Sequence, residues 1–192
     1  MCKLCQIDFI KSLLIPFAVI VLVFSSATHA EEVAPACQTT AHRQFDFWIG
    51  DWEVTDGDGK LVGYNLIKPI LNGCALSENW TSVKGNPGVS YNFYDAAEKK
   101  WHQTWIDGSG GALYLDSRGQ EDGIQRKNHV WQQNKMQLHG SRPGKNGQSV
   151  LHQISWSLLP DGRVKQHWQS SPDQGATWQD LFVGFYQRRS SK

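Results

Sequence analysis

The chain has 192 residues, with 19 basic residues against 18 acidic ones and 40% hydrophobic residues. That length suits one folded domain. The sequence has no basic stripe to neutralise phosphates, so neither nucleic acid nor an anionic membrane surface is an expected partner. The composition stands out for its nine tryptophans, whose indoles must find a core, a pocket or an interface.

Lys3 and Lys11 lead into an apolar run from Leu13 to Phe24, followed by Ser25-Ser26-Ala27-Thr28-His29-Ala30. This is the layout of a cleavable secretion signal, with small Thr28 and Ala30 where a signal peptidase reads. Residues 1–30 are therefore expected to leave, taking Lys3, Lys11 and Asp8 and equalising the two charge signs. The run is short of the roughly 20 residues of a transmembrane helix, and an uncleaved anchor is the alternative reading. Ala34-Pro35-Ala36 before Cys37 is a poor lipobox, which sets aside a lipid anchor. The expected location is secreted or periplasmic, with no membrane association after cleavage. Cys2 and Cys5 depart with the leader, leaving Cys37 and Cys74 as one pair. In an oxidising compartment they are expected to form a disulfide worth about 3 to 4 kcal/mol in the chain-entropy model. Residues 31–42 read as a flexible mature N-terminus tethered at Cys37, and residues 43–190 as the folded domain.

The segment Phe45 to Val54 is a dense apolar turn that passes through Gly50 into a first strand. Thereafter short β-branched and aromatic runs are cut by turn residues at 56–59, 85–88, 95–100, 108–111, 143–147, 160–162 and 172–175. These residues supply the positive or preset φ that hairpins need. No amphipathic helix of ten or more residues interrupts them. The reading is all-β: about eight to ten antiparallel strands in a single up-and-down barrel that hides its edges by closing, with a short helical turn before the first strand.

The opening Phe45-Asp46-Phe47-Trp48-Ile49-Gly50-Asp51-Trp52 contains Gly-x-Trp. It is followed in order by Gly73-Cys74, Glu78-Asn79-Trp80, Asn92-Phe93-Tyr94-Asp95, Trp101-His102-Gln103-Thr104-Trp105, Pro160-Asp161-Gly162-Arg163-Val164 and Gln166-His167-Trp168. In this series the chain resembles a calycin-like, lipocalin-related family of secreted bacterial proteins. The resemblance implies a barrel plugged at one end by Trp52, with Arg188 or Arg189 of the last strand across the indole. Such a cation–π contact is worth about 0.5 to 2 kcal/mol. The resemblance implies a fold and no settled activity.

Several local patterns have plainer explanations than the chemistry they suggest. Ser171 to Trp178 matches a single Asp-box, a hairpin that repeats in sialidase propellers. Alone it makes no blades, so it reads as a hairpin whose Asp173 carboxylate bonds turn amides. Ser109 in Asp107-Gly108-Ser109-Gly110-Gly111 only superficially matches a protease nucleophile loop. Asp56 to Gly59 is too short for a calcium loop, and the Asn79-Trp80-Thr81 sequon lies inside a strand. The histidines His42, His102, His129, His139, His152 and His167 share no short ligand motif, so no metal site is expected, a zinc site assembled across strands being the alternative.

Residues two apart on a strand share a face. Glu78 and Trp80, Gln103 and Trp105, and Gln166 and Trp168 therefore form polar–indole pairs, while His152 shares a face with Trp156. If those faces point inward, Glu78, Trp80, Gln103, Trp105, His152, Trp156, Gln166 and Trp168 make a pocket for a flat molecule, with His102 and His167 outside. The alternative is a solidly packed interior. The leading functional reading is a small-molecule-binding barrel for an aromatic or apolar ligand, without a cofactor. A second is a barrel isomerase, lyase or hydrolase in which Glu78 and His152 exchange protons. A third is a haem-binding barrel of the nitrobindin kind that uses His152.

Overall fold

The computed structural model describes residues 36–118 and 134–190; the expected leader, His129 and Trp131 lie outside them. Among the described residues, ten strands follow one another: β1 (Gly50–Thr55), β2 (Leu61–Ile70), β3 (Ala75–Ser82), β4 (Pro87–Asp95) and β5 (Lys100–Asp107), then β6 (Ala112–Asp116), β7 (Lys135–Pro143), β8 (Ser149–Leu158), β9 (Val164–Ser171) and β10 (Gln179–Arg188). Each pairs antiparallel with its sequence neighbours, and β1 pairs with β10, so the sheet closes into an up-and-down barrel. Among the described residues closure gives every strand a neighbour on both sides.

All seven expected turns lie at junctions between strands, three of them overlapping the strand ends. The β2–β3 connection is an addition to them, a tight turn at Leu71–Gly73 in which all three residues have positive φ, at 50°, 56° and 87°. The Asp-box does act as a hairpin clasp. Asp173 accepts hydrogen bonds from the Thr177 and Ser171 hydroxyls and from the Thr177 amide, and these bonds, the Thr177 hydroxyl foremost, hold its carboxyl at a pKa of about 2. Ser109 is bound to the Asp107 carboxylate at 2.6 Å as part of the β5–β6 turn.

The barrel is closed at the end where β1, β3, β5, β7 and β9 begin. A 3-10 turn, Asp46–Trp48, precedes β1 and delivers Phe45 and Trp48, both fully buried. Phe45 stacks on Trp48 with ring centroids 4.8 Å apart and meets Trp101 and Trp156 edge-on. Trp52 donates its indole N–H to the Trp48 carbonyl at 2.9 Å. The guanidinium of Arg188 lies 4.5 Å above the Trp52 ring and donates to the Ile49 carbonyl. Of the two candidate arginines, then, Arg188 covers the plug. Arg189 lies 4.9 Å from the Tyr64 ring and pairs with Asp51, because neighbouring strand residues point to opposite faces.

Cys37 and Cys74 are joined by a disulfide that ties the segment before the plug to the start of β3. Arg43 reinforces the tie by donating to the Gly73 carbonyl.

Candidate ligand-binding pocket

At the opposite end the interior is hollow, with a cavity of about 220 Å³. Its walls are Trp80 from β3, Trp105 from β5, Trp168 from β9 and Phe182 from β10, all partly buried. Trp80 meets Phe182 edge-on at 6.1 Å, and Trp105 meets Trp168 in the same manner at 5.8 Å. Two glycines make room for these indoles. A Cβ on Gly63 would come within 2.5 Å of the Trp80 ring, and one on Gly88 within 3.1 Å of the Trp105 nitrogen. Strand neighbours without side chains thus let each indole lie flat along the inner wall.

The floor is polar. Glu78, Gln103, Gln166 and Tyr186 reach it, with Trp156 beneath. Seven of the eight sequence-predicted pocket residues therefore line one cavity: Glu78, Trp80, Gln103, Trp105, Trp156, Gln166 and Trp168. Two-residue periodicity also places His102 and His167 outside, where they pair with Asp116 and Asp180.

The eighth residue, His152, does not line that cavity. Its ring is buried on the inner face of β8, yet it borders a neighbouring groove with Arg142, Lys145 and Ser170. Trp168 donates its N–H to His152 Nδ1 at 3.1 Å, so the imidazole sits behind the indole as viewed from the cavity. Burial, with Arg142 adding to it, lowers the His152 pKa and favours the neutral ring. Glu78 and His152 thus line different cavities, because parity gives a residue's face and not its height along the barrel. Among the described residues the cavity lining holds no histidine, so nothing there supports the haem reading.

Glu78 is the centre of a hydrogen-bond chain that spans four strands. Gln103 Nε2 donates to Asn92 Oδ1 at 2.8 Å, Asn92 Nδ2 donates to Ser90 Oγ at 2.9 Å, and Ser90 donates to Glu78 Oε2 at 2.6 Å. From the other side Asn65 Nδ2 donates to Glu78 Oε1 at 2.7 Å, while Tyr186 donates to Gln166 Oε1. Asn65, Ser90 and Asn92 are all buried, and β4 turns its apolar residues Val89, Tyr91 and Phe93 outward. Burial raises the Glu78 pKa, and the hydrogen bonds from Ser90 and Asn65 partly offset that rise. Desolvation wins because a charge in low dielectric loses more hydration than two neutral donors restore.

Sequence reasoning had singled out neither Asn65, Ser90 and Asn92 nor Tyr186 as pocket residues. The signal for Tyr186 was available, since it lies two residues before Arg188, the cover of the plug.

Asp95, Glu98 and His102 are a group of potential metal donors among the described residues. Asp95 already caps the amides of Ala97 and Glu98, and His102 is bridged to Asp116, so the group reads as a solvated turn and ion pair. No protein-family model matches the chain, and no curated protein matches it.

Proposed function

We propose that the protein is a secreted or periplasmic carrier that holds one small, flat organic molecule in the open end of its barrel. The observation that carries this reading is the pairing of four aromatic walls, Trp80, Trp105, Trp168 and Phe182, with a buried polar floor around a cavity of about 220 Å³. An engineered apolar cavity of about 150 Å³ takes up benzene, so this one has room for a single ring with a short substituent. The closed end leaves the hairpin-lined mouth as the route of entry. The Cys37–Cys74 disulfide suits an oxidising compartment, and the calycin-like resemblance suits a carrier barrel.

The test is a titration of intrinsic tryptophan fluorescence with a panel of small aromatic compounds, together with native mass spectrometry of the protein as purified. A saturable change that is lost in Trp105→Ala and Trp168→Ala is expected. A panel without any response, and a native mass equal to that of the bare chain, would dispose of the reading.

A further inference from the structure

Glu78 is buried to 6% exposure, and the ion pairs among the described residues do not include it. A buried carboxyl without a cation is costly as a carboxylate, so it must either hold its proton or obtain a countercharge from outside the protein.

The hydrogen-bond chain can accommodate either state. Every donor in it, from Gln103 through Asn92 and Ser90 on one side and from Asn65 on the other, runs toward the Glu78 oxygens. Asn65 Oδ1 is buried without a partner and the Ser90 hydroxyl oxygen can accept a second bond, so the site can hold the free acid, while Ser90 and Asn65 also donate to the Glu78 oxygens. The donors from Ser90 and Asn65 would hold the carboxylate in place once a cation supplies its countercharge and the proton leaves. Around Glu78 stand Asn65 from β2, Ser90 from β4 and Tyr186 from β10. Tyr186 is the titratable group among them, and burial beside Glu78 keeps it a neutral phenol. None of these supplies positive charge.

The cavity lies on the remaining side of the carboxyl, and its walls include indoles, whose faces attract cations better than those of the other aromatic side chains. A ligand anion would meet Glu78 with like charge, whereas a ligand cation would find both a carboxylate and aromatic faces. Resting on the carrier reading above, we propose that the ligand is a small organic amine bound as its ammonium ion, with the nitrogen on Glu78 and the body between Trp80, Trp105 and Trp168. This assigns Glu78 as the specificity determinant of the pocket.

The experiment compares three probes of one size on the full mature protein at neutral pH, by calorimetry and tryptophan fluorescence: phenethylamine, phenethyl alcohol and phenylacetate. The amine is expected to bind about tenfold or more tighter than the alcohol, with phenylacetate weakest. In Glu78→Gln the ratio of amine to alcohol affinity should collapse toward one, and Ser90→Ala should lower it part of the way. The wild-type comparison stands even if a variant fails to fold. Alcohol binding that equals or exceeds amine binding overturns the amine assignment and leaves the carrier reading intact, as does a preference that survives in folded Glu78→Gln. Silence from all three probes, with no other compound bound, overturns both.

Discussion

At the closed end of the barrel Trp48, Trp52 and Trp101 are at most 2% exposed and packed into one aromatic cluster. At the open end Trp80, Trp105 and Trp168 keep part of their surface free and border a cavity. The same side chain serves as filler in one place and as wall in the other. What separates the two ends is the segment from Cys37 to Trp48, which is tied by the disulfide and delivers two large rings into one mouth. The described turns at the other mouth, such as Asp56 to Lys60 and Asp107 to Gly111, are short hairpins whose aspartates bond their own turn amides, and their side chains leave that mouth unfilled.

This contrast can be broken from either side. Trp48→Ala should cost about 3 to 5 kcal/mol, because it empties a site that neighbouring rings cannot collapse into. Trp105→Ala should cost less than about 2 kcal/mol and act mainly on ligand uptake. Urea denaturation of the two variants side by side measures the difference, and equal losses would mean the two ends are packed alike. Next in size, replacing Cys37 and Cys74 together with serine should cost about 3 to 4 kcal/mol by freeing the loop they close. A stability unchanged under reducing conditions would show that the plug needs no tether. Arg188→Ala removes the cover over Trp52 and should cost about 0.5 to 2 kcal/mol, while Arg189→Ala, which leaves the plug untouched, should cost less.

The smallest effect concerns the open end and pH. Burial raises Glu78 above the ordinary value of 4.5, so the native state holds a proton that the unfolded chain releases. Stability is therefore fullest below the unfolded value and declines as pH rises through it toward the folded value. Glu78→Gln removes that decline. The melting temperature of the variant relative to the parent should thus rise with pH above the ordinary carboxyl value. A constant difference across that range would mean that Glu78 titrates alike in both states.

The sequence was most readable where one face of a strand carries a chemical pair. Glu78 with Trp80, Gln103 with Trp105, and Gln166 with Trp168 each differ by two positions and arrive in the same cavity. It was least readable at β4, where alternation alone would send Val89, Tyr91 and Phe93 inward. The barrel instead buries Ser90 and Asn92, because Glu78 and Gln103 on the flanking strands need hydrogen-bond partners. His152 had the correct face and the wrong neighbourhood, since its height along β8 sets it behind Trp168.

Turn chemistry and two-residue periodicity, both local properties of the chain, determined the strands, their meander and the inward faces of β3, β5 and β9. Which end closes, which arginine covers Trp52, and where one carboxyl lies buried without a cation were decided only by the tertiary structure. Those features depend on strand register and on contacts between residues as far apart as Ile49 and Arg188, and no local pattern encodes the height at which two strands meet.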